Sequence, residues 1–301
     1  MARKRKGNPV HGWVVLDKPY GLGSTSAVGK VRWLHTAQKA GHAGTLDPLA
    51  TGILPIALGE ATKTVPFMMD AKKAYEFTLT FGENTDTWDT EGEVTATSDV
   101  RPAEADILRA LPQFIGEIEQ IPPRYSAIKV DGKRSYDLAR SGEVVELKSR
   151  QVTVDSFELI TYDGKLATFA VGCGKGTYIR SLARDLAAAL GTCGHVTMLR
   201  RTRVGPFTLD HAFTLDAIEK LCHMGGVSEA LRPVETALDD IPVLALTEQE
   251  ANELKHGRAI VLTSSLAAEN PEWILAMLDD KAVALCDTQD GQLRPKRVFN
   301  L

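Results

Sequence analysis

The segment Gly41-His42-Ala43-Gly44-Thr45-Leu46-Asp47-Pro48-Leu49-Ala50-Thr51-Gly52 gathers the residue types a catalytic loop needs. Its glycines let the backbone approach a ligand closely or take positive φ. Pro48 biases the residue before it away from helical geometry, so Asp47 stands at a defined bend. Asp47 is also the only carboxylate between Asp17 and Glu60, while Lys18, Lys30, Arg32, Lys39 and Lys63 lie along the same stretch. A carboxylate alone among cations keeps its charge, which suits a nucleophile and not a general acid. An Asp-Pro pair is also an ordinary turn-maker, and on local chemistry alone that is the simpler reading.

A second group of residues lies around 177–180. Thr177 reads as the cap of a helix whose apolar stripe is Ile179, Leu182, Ala183, Leu186 and Leu190, with Gly191 at its stop. Arg180 falls in the first turn, where a cation opposes the helix dipole. Such a placement is better tolerated where a carboxylate or phosphate faces it; a surface salt bridge is the plainer alternative. Tyr178 beside it and Tyr75 at the head of an alternating segment offer planar rings, suited either to stacking on a base or to core packing with the hydroxyl satisfied.

Other motifs fail on spacing. Gly29-Lys30 ends like a P-loop, but Ser24 stands where its first glycine belongs and Val31 where a hydroxyl must hold magnesium. Gly172-Cys173-Gly174-Lys175-Gly176 lacks the dinucleotide spacing. Asp86, Asp89 and Glu91 resemble a calcium loop in composition only. Cys193-Gly194-His195 and Cys222-His223 lack the paired spacing of a zinc site. Neither nucleotide hydrolysis nor metal hydrolysis is supported.

The elements that must position these residues follow from periodicity. Trp13–Leu16 reads as a buried strand, and Ser24 as the N-cap of a helix through Val28, Val31 and Leu34. Residues 41–52 read as a loop with a short helical continuation. Tyr75–Phe81 alternates as a half-buried strand, and a short strand is expected near Val94. Pro102 occupies N1 of a helix through Ile107 and Leu111. Strands are predicted near 151–159 and 166–172, and helical stretches over 214–222 and 227–239. A helix near 247–256 is followed by short strands near 259–262, 272–278, 281–286 and 293–299, a small β-rich unit.

At 301 residues, with 44% hydrophobic and 25% charged side chains, the chain is an ordinary globular protein with room for a large and a small domain. No apolar run approaches the roughly 20 residues of a membrane helix. The basic opening Met1–Gly7 has no apolar sequel, which predicts no export signal. The four scattered cysteines fit free thiols of a reducing cytoplasm. The net charge of −4 hides strong segregation. Residues 1–75 carry 11 basic and 4 acidic side chains, 76–119 carry 2 and 11, 120–203 carry 14 and 8, and 204–301 carry 8 and 16. Folding that unites the two basic blocks would make a polyanion-binding surface; ordinary patchiness is the alternative.

Gly41 to Pro55 resembles the catalytic signature of the TruB family of tRNA pseudouridine synthases. The likeness continues in order through Leu16-Asp17-Lys18-Pro19, Gly23-Ser24-Thr25-Ser26, Gly59-Glu60-Ala61-Thr62-Lys63, Lys73-Ala74-Tyr75, Gly82 with Thr85-Asp86-Thr87 and Asp89, and Pro122 to Lys129. It ends with Gly176-Thr177-Tyr178-Ile179-Arg180 and Leu199-Arg200-Arg201 before Val204-Gly205-Pro206-Phe207, about 200 residues in all. The resemblance implies an α+β pseudouridine synthase fold, a mixed and mainly antiparallel sheet with flanking helices, followed by a PUA-like domain. The domains implied are 1–240, catalytic, with about 182–240 as a family-specific extension, and 241–301.

It also implies an isomerase that turns the uridine at position 55 of the tRNA T-loop into pseudouridine on a flipped-out base, without cofactor, metal or guide RNA. Its partner would be the tRNA T-arm, and the protein a cytoplasmic monomer. Asp47 matches the family's catalytic aspartate, and Arg180 the arginine paired with it. Tyr75 matches the tyrosine that stacks on the base and assists proton removal from C5. Tyr178 matches a neighbouring substrate contact, and Leu199 an apolar residue of the uracil pocket. His42 matches the histidine that enters the T-loop in place of the departed base. Lys18 and Lys63 match basic or framework positions among the substrate-binding residues.

Overall fold

The computed structural model describes residues 7–126, 129–130, 133–134, 147–262, 266 and 271–301. Ala127 and Ile128 of the quoted motifs, and the basic start Met1–Lys6, lie outside the described residues.

One ten-stranded sheet organises residues 12–232. Its strands are β1 (Gly12–Lys18), β2 (Ala40–His42), β3 (Thr51–Leu58), β4 (Lys73–Phe81), β5 (Gly116–Gln120), β6 (Arg150–Tyr162), β7 (Leu166–Cys173), β8 (Gly194–Val204), β9 (Phe207–Thr208) and β10 (Leu231–Arg232). They lie in the order β10-β1-β3-β8-β4-β7-β6-β5, with β2 on β3 and β9 on β8. Every pairing is antiparallel except β3 with β8, where Arg200 faces Thr51 and Arg201 faces Gly52.

Successive side chains of a strand point to opposite faces, and β1 is buried on both. Trp13 and Val15 join Ile53, Ala57 and Phe207 on one face, while Val14 and Leu16 join Leu54, Ile56 and helix α1 (Ser24–Leu34) on the other. At the far end of the sheet, Phe77, Leu79 and Phe169 pack against the predicted stripe Ile179, Leu182, Ala183 and Leu186, on helix α4 (Ile179–Ala189). Between α1 and α4 come α2 (Val65–Asp70) and α3 (Glu104–Ala110). Tyr75 and Leu199 touch both the α1-side and the α4-side clusters, so they sit at the junction of the sheet's two halves.

That junction is made by β8, a strand that apolar patterning does not reveal. Arg200, Arg201 and Arg203 interrupt its periodicity, and only its pairing with both β3 and β4 defines it. Gly52 permits the close approach. At φ +99° a Cβ there would lie 2.2 Å from the Arg201 carbonyl oxygen, so a side chain would push β3 off β8.

The predicted start signals move in three places. The N-cap of α1 is Gly23, and Ser24 is drawn elsewhere. Pro102 precedes α3, whose N-cap is Ala103, and spends its carbonyl on the Tyr162 hydroxyl at 2.6 Å. Tyr178 caps α4, and Thr177 donates to the Gly174 carbonyl. The expected helix over 227–239 is two 3-10 turns, Val227–Ala230 and Val234–Leu238, separated by β10. Helix α5 (Leu215–His223) agrees with expectation.

The C-terminal β-rich unit holds β11 (Val243–Ala245), β12 (Ile260–Val261), β13 (Ile274–Leu278), β14 (Lys281–Gln289) and β15 (Gln292–Val298) in the order β11-β13-β14-β15-β12. Helix α6 (Glu248–Lys255) packs on it and supplies Ala251 and Leu254 to a core of its own. Leu275, Leu285 and Phe299 of this unit also bury themselves in the Trp13 and Ile53 cluster, so it is seated on the larger sheet. No described helix is long and apolar enough to cross a membrane.

Candidate active site

Asp47 lies in the turn between β2 and β3, and both of its neighbours are tied down. The buried Ser24 hydroxyl donates to the Leu46 carbonyl at 2.7 Å and accepts from the Leu46 N–H at 2.9 Å. On the other side, the Pro48 carbonyl accepts from the Gly21 N–H at 2.9 Å and from Lys18 Nζ at 3.1 Å. Ala50 N–H closes the turn onto the Asp47 carbonyl at 3.1 Å. Ser24, Gly21 and Lys18 thus fix the backbone on either side of the carboxylate.

Lys18 is fully buried, and its ammonium also donates to the carbonyls of Pro19 and Leu22 at 3.0 and 2.7 Å. Burial pushes its amine from the usual 10.5 down to about 8, opposed by the charge of Asp47 and reinforced by that of Arg201. It is a framework cation behind the loop and not a contact on an open surface. Between pH 8 and 10.5 the unfolded chain carries the extra proton, so stability rises with pH over that window. Lys18→Met is expected to remove about 2 kcal/mol of the gain seen between pH 8 and 9.5 in urea unfolding. An identical gain in the variant would show that Lys18 titrates normally.

Arg180 faces Asp47 from the first turn of α4. Its guanidinium is 2.9 Å from Asp47 Oδ2 and 3.3 Å from Asp89 Oδ2, and it donates to the carbonyls of Thr87 and Tyr125 at 3.0 and 2.9 Å. The opposing carboxylate expected for a cation at a helix N-terminus is therefore present, and there are two of them. They differ in availability. The Asp47 side chain keeps 35% of its surface exposed, against 12% for Asp89. Asp89 spends Oδ1 on the Thr87 hydroxyl and the Glu91 N–H.

Tyr75, Tyr178 and Leu199 complete a narrow hollow of about 80 Å³ lined also by Thr45, Asp47, Ile179 and Arg180. Leu199 comes from β8, opposite Phe77 of β4. Tyr178 is held by the buried Gln120, whose amide accepts from the Tyr178 N–H at 2.7 Å and donates to its carbonyl at 3.1 Å. Arg150 lies 4.9 Å over its ring. Burial raises the Tyr75 phenol above its usual range and the charge of Asp47 adds to this, while the guanidinium of Arg201, hydrogen-bonded to it, pulls the other way. The phenol is therefore neutral in the resting site.

A wider groove of about 290 Å³ opens beside this hollow, with His42, Thr45, Asp47, Asp89, Tyr125 and Arg180 among its walls. His42 thus stands at the mouth of the site. Lys63 does not join it. It pairs with Glu60 at 2.6 Å and donates to the Val298 carbonyl at 2.6 Å, against the C-terminal unit. A run of cations along the sequence gave Lys63 no distinguishing mark, and the 3-10 turn Gly59–Lys63 turns it away.

Arg201 is the group that sequence reading passes over. Fully buried on β8, it donates from Nε to the Ile53 carbonyl at 2.7 Å and from its terminal nitrogens to the carbonyls of Gly44 and Thr45 at 3.2 and 3.4 Å. It binds the Asp47 loop to β3 and also faces Tyr75. Its neighbour Arg200, on the other face of the strand, makes a two-pronged pair with Asp17 at 3.0 and 2.8 Å.

Comparison with known proteins places this arrangement in a family. Residues 32–179 match the TruB family pseudouridylate synthase N-terminal domain, and residues 180–239 match the tRNA pseudouridylate synthase B C-terminal domain. A protein of Caulobacter vibrioides called tRNA pseudouridine synthase B is 57% identical over 309 residues, covering 100% of both chains. One of Rhodospirillum rubrum with the same name is 50% identical over 309 residues, again covering 100% of both. Among solved structures, a chain of a Cbf5-Nop10-Gar1 complex is 28% identical with a TM-score of 0.72, covering 96% of this chain and 84% of that one. A chain of an H/ACA RNP bound to a substrate RNA containing 2'-deoxyuridine, 24% identical at a TM-score of 0.75, shares the fold over 100% of this chain and 92% of its own. With an α+β fold, a mixed sheet and near-complete alignment to these relatives, the chain belongs to the TruB family of pseudouridylate synthases.

Proposed function

We propose that this enzyme isomerises the uridine at position 55 of the tRNA T-loop to pseudouridine, with Asp47 as nucleophile and without cofactor or guide RNA. One observation carries the assignment of Asp47. Of the two carboxylates on Arg180, only Asp47 lines the hollow shared by Tyr75, Tyr178 and Leu199.

The reaction breaks the N1–C1′ bond, turns the uracil and rejoins it through C5, so no atom passes to or from a cofactor. The target base leaves its stack at a cost of a few kcal/mol. Stacking on Tyr75 recovers roughly 1–3 kcal/mol, and His42, at the groove mouth, takes the place the base vacated. Arg180 holds the Asp47 carboxylate against the sugar–base junction. Leu199 and Tyr178 form the apolar and aromatic walls that let the freed uracil rotate without escaping. Tyr75 gives its phenol proton to N1 of the detached uracil, and the transient phenolate, eased by the Arg201 guanidinium, takes the C5 proton once C5 has bonded to C1′. The basic blocks 1–75 and 120–203 supply phosphate contacts, with the strong salt dependence that implies. Residues 241–301 act as a PUA-like second domain.

The test is incubation of unmodified tRNA transcript with the protein in buffer containing EDTA, followed by site-resolved pseudouridine mapping. One pseudouridine in the T-loop, with no free uracil, is the expected result. Binding without product would leave an RNA-binding protein, and free uracil would mark base excision; either would overturn the reading.

A further inference from the structure

The turn that holds Arg180 contains a residue under backbone strain. Trp88 has φ +61°, in the left-handed region that bulky side chains avoid. The residues on either side of it are two of the acceptors of Arg180: the Thr87 carbonyl and the Asp89 carboxylate. The Trp88 backbone is pinned by its own N–H to the Thr85 carbonyl at 3.2 Å and by its carbonyl to the Val196 N–H at 3.1 Å. Such a conformation persists only where the surroundings impose it.

A restraint on the side chain comes from α4 itself. Arg184 places its guanidinium carbon 4.1 Å from the centre of the Trp88 ring, within the range of a cation–π contact. Asp185 fixes the plane of that guanidinium by accepting from Nε at 2.6 Å. Arg184 follows Arg180 by four residues, one helical turn, so both point from the same face of α4 into the same turn. One arginine grips the backbone and carboxylate on either side of Trp88, and the other grips its ring.

We infer that Arg184 and Trp88 form a latch that keeps the Thr87–Asp89 turn in its strained conformation and so aims Arg180 at Asp47. Both are positioning residues: neither lines the Asp47 hollow. The inference rests on the proposed function, because its effect is read through the reaction that Arg180 and Asp47 carry out. It implies that the pair is a unit, so that losing either member releases the turn and losing the second adds little.

The experiment uses the full chain with Arg184→Met, Trp88→Leu and the double variant. Single-turnover pseudouridine formation, affinity for unmodified tRNA and Tm are measured for each. Each single change is expected to slow the chemical step about 3- to 10-fold, with affinity within about twofold, and the double variant is expected to be no slower than the slower single. Arg184→Lys and Trp88→Phe, which keep a cation and a ring, are expected to recover most of the rate. Unchanged rates, losses that multiply in the double variant, or losses that merely follow Tm would overturn the latch. If a variant fails to fold, the Lys and Phe replacements decide alone: a rate near that of the unmutated chain supports the pair, and a rate as low as that of Arg180→Met overturns it. Absence of product with the unmutated protein would instead count against the proposed function.

Discussion

Asp47→Asn is expected to abolish pseudouridine formation, with turnover falling about 10⁴-fold or more, while tRNA affinity stays within about threefold. The substitution keeps the shape of the side chain and one oxygen for Arg180. It removes the charge and turns the other oxygen into an NH2 donor, so the carboxylate nucleophile is lost. Arg180 is not stranded by it, because Asp89 and the carbonyls of Thr87 and Tyr125 still hold both terminal nitrogens of a guanidinium whose side chain is 5% exposed. Ser24, Gly21 and Lys18 grip the backbone on either side and not the Asp47 side chain, so the loop holds its course. Asp47→Glu sharpens the test. It restores the charge but displaces it by about one methylene, and a displacement of that order costs roughly 10²-fold or more when the attacking atom must sit within about 3–3.5 Å of its target. Tritium release from 5-tritiated uridine in tRNA reads both variants. Turnover by Asp47→Asn at even a tenth of the normal rate would mean that another group starts the reaction.

How much of this site was legible from the chain depended on whether a residue's role shows locally. Asp47 drew notice because Pro48 fixes a bend and the surrounding stretch lacks other carboxylates, but locally an Asp-Pro turn was the simpler reading, and only the family resemblance favoured chemistry there. Arg180 was legible, since a cation at a helix N-terminus demands an anion. The apolar stripe of α4 and the alternation of β4 each imply their own partner face. Ser24 and Thr177 misled in the same way: a hydroxyl before a helix is an ordinary cap, and nothing in the sequence says that the Leu46 peptide lies closer to Ser24 than its own helix N–H groups do. Lys63 looked like any other cation of the first basic block until the chain turned at Gly59. The deepest omission was β8. With no strand read over 194–204, nothing distinguished Arg200 from Arg201, when strand alternation sends one to Asp17 and buries the other.

That buried arginine gives the second large effect. Arg201→Met is expected to slow pseudouridine formation about 10²-fold and to lower stability by about 2–3 kcal/mol. Met fills much of the volume, so the loss is not chiefly a cavity. It lies in three carbonyls, those of Gly44, Thr45 and Ile53, that lose the donor they share, the Ile53 one in the buried core. Two of the three belong to the loop that carries Asp47, and the third to β3, so the tether between loop and sheet is what disappears. The stability loss is held down by a compensating gain, since no carboxylate among the described residues pairs with Arg201 and its burial is itself costly. Removing its charge also lets the Tyr75 phenol rise further and eases the like-charge pressure on Lys18, so the Lys18 amine is expected to titrate above its value of about 8. Arg201→Lys separates charge from geometry. It keeps the cation but cannot span three carbonyls as a planar fork does, so it should rescue the Lys18 titration better than the rate. Hydrogen exchange over residues 44–46 reports the tether directly. Faster exchange there, alongside the rate loss, is the expected pair of results. Normal exchange with a full rate in Arg201→Met would mean that Ser24 and Lys18 hold the Asp47 turn without it.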